Sequence, residues 1–359
     1  MELTIRPDIS WTEKIKDFLK EWHKFEHIIC DKKLFEWFFL INQNNPTLKN
    51  DKLRFILAHE NGKIYSLLSF YECNFLIKGT IKKGAWGSGW YTLRTNQNMF
   101  LGGLLRKAYL NEFEVAGNIG CSDTTISIAR YMGSNIINKI NPLVLKKESF
   151  GKIENLSFDI LNENKNYFFE TFSEKTSRAI YKRSSEFDKK SINSIKTLLT
   201  EEYFNWRYRS HPYFDYMITK IKFNNQSFDN GALIWRLVTL DNGEKLCRIV
   251  NCDVPNLQNY EFIVLHLVKE LINELQQVSI NYIDCFTTDI EMIRTLKKLG
   301  WIYDINNLYP NRIDPVEKGN DLNGEFFIKG ETDYKNLNFQ FYNGDGDADR
   351  PNRKSSLLK

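Results

Sequence analysis

The sequence predicts an α/β protein of two domains in tandem, each a mixed, mostly antiparallel sheet flanked by helices. Three observations predict it. A chain of 359 residues is long enough for about two domains. Aromatic residues make up 14% while Gly and Pro number only 19 and 8, which favours packed helices and sheets over low-complexity linkers. One order of elements (hairpin, strand or loop, helix, strand, helix, glycine) is written twice. Its Asn-Gly turns, Asn61-Gly62 and Asn242-Gly243, lie 181 positions apart, and its helix-stop glycines, Gly133 and Gly300, lie 167 apart. Short solenoid repeats have periods of roughly 20–50 residues, so this is a repeated domain-sized unit.

Each element has a local reason. Ser10 and Glu13 have capping-box spacing, and Ile15, Phe18, Leu19 and Trp22 follow at i, i+3, i+4 and i+7 as one apolar helix face. An apolar run over 34–40 ends in Asn and Pro turn chemistry. Runs over 53–58 and 63–70 flank Asn61-Gly62 as a hairpin, and 85–93 reads as a further strand. A helix over 104–113, a strand over 115–120 and a helix over 124–132 complete the first half. In the second half, strands over 232–240 and 244–251 flank Asn242-Gly243. An amphipathic helix over 261–275, a strand over 278–286 and a helix over 289–299 follow. The expected domains are 1–150 and 151–342, with an acidic Gly/Asp segment and tail over 343–359.

Composition excludes several function classes. The 49 basic and 45 acidic side chains leave a net charge of +4 and form no basic block, which argues against a nucleic-acid partner. The six cysteines are scattered without a Cys-x-x-Cys, as in reduced thiols of a cytoplasmic protein. The N-terminus has no secretory pattern, and no run of 18 apolar residues exists to span a membrane. His23 and His27 share a helix face but have no evident third ligand, so no metal site is expected. Asp345, Asp347 and Asp349 alternate without the glycine and glutamate positions of a calcium loop. A solvated tail and a loop folded back toward a substrate are both open.

The segment Gln97-Asn98-Met99-Phe100-Leu101-Gly102-Gly103 precedes a helix. With this loop, the element order resembles the acyl-CoA N-acyltransferases of the GNAT fold. Their loop, [Gln/Arg]-x-x-Gly-x-[Gly/Ala], binds the coenzyme A pyrophosphate on backbone N–H groups at a helix start. Gln97 and Gly102 fit that pattern, and Phe100 replaces its first glycine. The other reading is a plain strand-to-helix turn. The resemblance covers nearly the whole chain and implies a central strand splayed from its neighbour. It implies acetyl-CoA or another acyl-CoA as co-substrate, bound by Trp90, Tyr91, Thr92, Gln97, Asn98, Gly102 and Gly103. The family's usual acid, a Tyr four residues before the late glycine, is replaced by Ala129 and Leu296, with Tyr131 two positions off. The loop before Glu261 has no glycine, so the second half reads as a degenerate copy.

The general base is sought among Glu36, Asp123 and His211. The segment around Trp206, Arg207 and Tyr208, ending in His211-Pro212, resembles tandem GNAT-like and FemAB-like proteins of bacterial surface-polysaccharide clusters. It implies a sugar-binding face and a small-molecule acceptor, such as a nucleotide-linked amino sugar. Core packing of the same rings is the other reading. A non-catalytic scaffold in glycan assembly and a FemAB-type aminoacyl transferase are the alternative functions.

Overall fold

The computed structural model describes residues 1–24, 27–42, 45–49, 51–93, 100–140, 142–154, 169–183, 193–223, 226–240, 242–255, 259–305, 322–346 and 349. The chain opens with strand β1 (Glu2–Ile5), helix α1 (Thr12–His23) and a short helix α2 (Lys32–Phe35) that continues as a π-helical turn over Glu36–Leu40. A small hairpin, β2 (Ile41–Asn42) and β3 (Asn45–Lys49), leads to β4 (Phe55–Glu60), β5 (Lys63–Ile77) and β6 (Thr80–Thr92). Next come α3 (Leu101–Glu112), β7 (Val115–Ile119), α4 (Asp123–Tyr131), β8 (Asn135–Ile140), β9 (Pro142–Lys146) and α5 (Phe150–Glu154). The second half holds β10 (Phe169–Lys175), β11 (Ser194–Thr197), α6 (Glu201–Phe204) with its own π-helical turn over Asn205–Arg209, then β12 (Met217–Phe223), β13 (Gly231–Thr239) and β14 (Lys245–Asp253). It ends with α7 (Tyr260–Leu275), β15 (Tyr282–Phe286), α8 (Ile290–Lys298), β16 (Ile302–Tyr303), β17 (Leu322–Ile328) and β18 (Asn338–Gln340).

Local chemistry explains most boundaries. Asn61 and Gly62 both take positive φ, 48° and 77°, as the tight β4–β5 turn requires. Lys78 and Gly79 do the same at 50° and 76°, so β6 begins at Thr80, five residues before the sequence pattern placed it. Helices α4 and α8 end before Gly133 and Gly300, at φ 81° and 85°. The expected Ser10–Glu13 capping box does not form. Ser10 donates to Asp8 instead, and α1 starts at Thr12 without a side-chain cap. Ile15, Phe18 and Leu19 are buried, whereas Trp22 stays 39% exposed and bonds the Thr92 carbonyl oxygen.

Two large sheets result. The first has nine strands, ordered β1-β4-β5-β6-β7-β17-β8, with β11 on β5 and β18 on β11. The second has seven, ordered β10-β12-β13-β14-β15-β9-β16. Neighbours pair antiparallel except β6–β7, β14–β15 and β11–β18. The sheets exchange strands: β9 comes from the first half of the sequence and β17 from the end of the second. Each fills the slot beside the last two strands of the other sheet. Helix α3 packs Leu101, Leu105, Tyr109 and Leu110 against Ile56, Leu68, Phe70 and Ala85. Helix α7 buries Ile263, Leu267, Leu271 and Ile272 on the second sheet. Between the sheets lies the largest core cluster, with Trp37, Tyr71, Trp86, Trp206 and Tyr208.

Candidate functional site

The sheets position a fork in the first half. Strands β6 and β7 pair in parallel only over Gly84–Trp86 and Val115–Gly117. Beyond that row β6 keeps β5 on one side, through Gly87–Thr92, and has no strand on the other among the described residues. The backbone of one edge of β6 therefore faces the fork rather than a ladder. Asn118, the next residue on β7, holds the split from below. It donates to Glu325 on the exchanged strand β17, and Glu325 also takes Arg106 from α3. Arg106 and Glu325 are fully buried. Gly87 is required there, since a Cβ would stand 1.8 Å from Asn118 Oδ1.

Helix α3 starts beside the fork with no side-chain cap on its first turn among the described residues. Its first N–H groups have no intrahelical acceptors and carry the positive end of the helix dipole. Gly102 lies against the Trp90 ring, where a Cβ would sit 3.4 Å from it, and a Cβ on Gly103 would meet nothing within 4 Å. Phe100, at the N-cap position, is 78% exposed. Tyr91 and Thr92 are tied inward: Ser66 donates its hydroxyl to the Tyr91 carbonyl oxygen and shares a 2.7 Å hydrogen bond with the Thr92 hydroxyl. Gln97 and Asn98 lie outside the described residues.

The C-terminal segment enters the space between the sheets. Tyr71 donates its hydroxyl to the Gly346 carbonyl oxygen at 2.8 Å, and Arg207 donates to the carbonyl oxygens of Gly344 and Asp349. Asp349 is clasped by Arg236 at 2.8 Å and by the Tyr216 hydroxyl at 2.7 Å, which holds its carboxyl below the usual range despite burial. Asp345 is buried too, and burial pushes its carboxyl up to about 6, with Thr197, the Tyr342 N–H and Arg207 pulling the other way. A solvated acidic tail is thus overturned for these two residues. Alternation of Gly with Asp was the available signal: a Cβ on Gly344 would stand 2.5 Å from the Tyr208 hydroxyl and 2.7 Å from the Val250 carbonyl oxygen.

That contact fills the matching fork of the second half. Strands β14 and β15 pair over Leu246–Ile249 and Tyr282–Cys285, and at Val250 the chain's own Gly344 N–H bonds the freed carbonyl at 2.7 Å. Helix α7 starts there with Glu261 in its first turn and no glycine.

The three candidate bases lie on different elements. Glu36 is half-buried in the π-helical turn after α2, and Asp123 is exposed in the first turn of α4. His211 is buried against the Trp37 ring at 4.5 Å. Its Nδ1 accepts from the N–H groups of Tyr213 and Phe214, and desolvation with Arg207 and Arg236 nearby holds it well below its usual range, so it is neutral. Trp206, Arg207 and Tyr208 are core side chains, all at most 1% exposed. Trp206 stacks on Trp37, and Arg207 sits over the Trp37, Tyr71 and Trp206 rings, so a sugar face is corrected to interior packing. Tyr131 is 92% exposed, and Ala129 and Leu296 are buried. Among the described residues no three His, Cys, Asp or Glu gather as a metal site, and no helix is long and apolar enough to cross a membrane.

No family model matches the chain, and no curated protein matches it. Among solved structures it is similar to a GCN5-related N-acetyltransferase from Anabaena variabilis, at 8% identity and a TM-score of 0.52, over 91% of this chain and 73% of that one. It also aligns with Eis1 from Mycobacterium abscessus, at 9% identity and a TM-score of 0.47, over 79% of this chain and 65% of that one. N-myristoyltransferase from Saccharomyces cerevisiae with bound myristoyl-CoA aligns at 11% identity and a TM-score of 0.44, over 91% and 78%. At such identities the likeness is one of fold, and it rests on the first of the three. The expected fold class, two mixed sheets flanked by helices, agrees with it.

Proposed function

We propose that the protein is an acyl-CoA-dependent N-acyltransferase whose acyl-CoA binds in the first half. One observation carries this: the fork beyond Trp86 and Gly117 opens beside the uncapped, glycine-bearing start of α3. Backbone N–H groups and the helix dipole at Leu101–Gly103 favour the pyrophosphate, and Gly102 and Gly103 keep side chains out of its way. The freed edge of β6, from Gly87 to Thr92, offers backbone N–H groups to the thioester carbonyl oxygen, where negative charge grows during attack. Trp90 supports the approach by packing on Gly102.

The second half does not serve as a second acyl-CoA site in this reading. Its fork is filled by Gly344, and the sequence before Glu261 offers no glycine for a phosphate's approach. The acceptor is an amine. A sugar is not named, because Trp206, Arg207 and Tyr208 are core. A reducing compartment such as the cytoplasm suits six free cysteines, of which Cys30, Cys247, Cys252 and Cys285 are buried.

A second reading, a non-catalytic binding partner, is favoured by Phe100 standing where a phosphate loop has glycine. Thermal unfolding with and without acetyl-CoA separates the two. A ligand at about 100 times its dissociation constant adds about 2.7 kcal/mol, so the enzyme reading expects a clear rise in Tm. An unchanged Tm at millimolar acetyl-CoA favours the partner reading.

A further inference from the structure

We propose that the carboxylate of Asp345 is the proton acceptor for the incoming amine, an assignment that rests on the acyl-CoA reading above. Its position carries the argument. Tyr71, Trp86 and Gly117 form the last paired row before β6 and β7 diverge. The C-terminal segment is fastened to that row, where the Tyr71 hydroxyl donates to the Gly346 carbonyl oxygen at 2.8 Å. Thr197, whose Oγ1 takes the Trp86 indole N–H at 2.9 Å, lowers the Asp345 carboxyl. Gly346 also lies on Ile119, two residues past the row on β7, where a Cβ would stand 3.3 Å from the Ile119 Cβ. Asp345 therefore stands at the base of the fork, on the face opposite α3.

Its chemistry differs from that of other buried acids. Asp253, Asp284, Glu325 and Asp349 each pair with a buried Arg or Lys. Asp345 has no such ion pair among the described residues. Oδ2 accepts from the Tyr342 N–H at 2.8 Å, while Oδ1 is buried without a partner among the described residues. Around it stand Tyr71 and Cys73 from β5, Thr197 at the end of β11, Tyr203 from α6, and Arg207 and Tyr208 from the second π-helical turn. The tyrosines and Cys73 are pushed far above their usual ranges by burial, so they are neutral, and Arg207 is a cation that acts on Asp345. Two further buried atoms of this group, Tyr203 Oη and Arg207 Nη1, also have no hydrogen-bond partner among the described residues. A carboxylate that is desolvated but lacks a bound cation is a stronger base than a surface one, and it has an oxygen free to receive a proton.

The ammonium N–H gives its proton to Asp345, leaving a neutral amine. The amine lone pair attacks the thioester carbonyl carbon, the C–N bond forms, and the C–S bond breaks. The amide's excess proton and the departing thiolate account for CoA-SH, and Asp345 releases its proton to solvent.

The test mixes acetyl-CoA with a set of primary amines (polyamines, amino sugars and peptide N-termini) and follows thiol release from pH 5 to 9. Wild type is compared with Asp345→Asn, and acetyl-CoA affinity is measured in parallel as a check on folding. The wild-type rate should fall on the acid side with a midpoint near 6. Asp345→Asn should lose about 10²–10⁴-fold in rate, and that acid limb with it, at unchanged acetyl-CoA affinity. A variant that keeps the wild-type rate and limb overturns the assignment. So does wild type that binds acetyl-CoA yet releases no thiol to any of these amines. Failure to bind acetyl-CoA at all removes instead the reading on which the assignment rests.

Discussion

Trp37 and Trp206 donate their indole N–H groups to each other's backbone carbonyl oxygens, at 3.0 Å in both directions, with their rings stacked 5.1 Å apart. The two residues sit 169 positions apart, each in a π-helical turn that follows a one-turn helix. Both helices start alike: Asp31 caps the Leu34 N–H and Thr200 caps the Tyr203 N–H. A reciprocal contact thus lies at the centre of the molecule, between the sheets that exchange β9 and β17.

Replacing either tryptophan by Phe keeps most of the apolar area but leaves the partner's buried carbonyl without its donor. Each change should cost about 1–3 kcal/mol in urea unfolding. The double variant should deviate from the sum of the singles, because the rings share one contact.

The pair Arg106–Glu325 ties α3 to the exchanged strand β17. Arg106→Met strands a buried carboxylate, and the expected loss is about 3–5 kcal/mol. Adding Glu325→Met should restore most of it. If the single variant is as stable as wild type by denaturant titration, the pair does not hold the strand.

Much of this was legible in the sequence, and the limits have physical causes. Periodicity and turn glycines marked the hairpins around Gly62 and Gly243 and helices α3, α4, α7 and α8, because those signals are local. The strand exchange was not legible, since the pattern marks no strand at β9 or β17 and only the partner sheet decides where they dock. The aromatic segment around Trp206 permits both a surface stack and a core, and burial chose the core. At Asp345 and Asp349, charge alone leaves a solvated tail and a folded-back loop both open. The glycines of that segment, which permit close approach to Tyr208 and Ile119, carried the signal for the second.

Two glycines near the fork should respond in opposite ways. Gly87→Ala drives a methyl group into Asn118 and should destabilise the fold by about 1–3 kcal/mol, seen as a lower Tm. Gly103→Ala meets open space inside a helix and should stabilise it by up to about 1 kcal/mol. Equal shifts in Tm would contradict the packing described for Asn118.

Asp345 gives stability a definite pH dependence. Its folded pKa, raised from 3.8 to about 6, means that the folded state binds the proton more tightly than the unfolded one. This contribution is fully present below about 4 and is lost as pH rises through about 6, amounting to about 3 kcal/mol. Asp345→Asn should therefore be more stable than wild type at pH 7–8, and the gap should close below about pH 4. The variant-minus-wild-type difference isolates this group from Asp253, whose carboxyl is held low by Arg183 and Lys196 and loses its contribution at acid pH. A flat difference across that range would mean that Asp345 titrates as a surface carboxylate.

The most direct measurement is calorimetric titration of acetyl-CoA into wild type and Gly102→Glu, two proteins matched for thermal stability. An acyl-CoA seated at the start of α3 predicts one site per chain in wild type. It also predicts at least a roughly tenfold loss of affinity in the variant, where a carboxylate and its stem would occupy the phosphate approach beside Trp90. Equal affinity in the two proteins would place the phosphates elsewhere. Absence of binding to wild type would contradict an acyl-CoA site in the first half altogether.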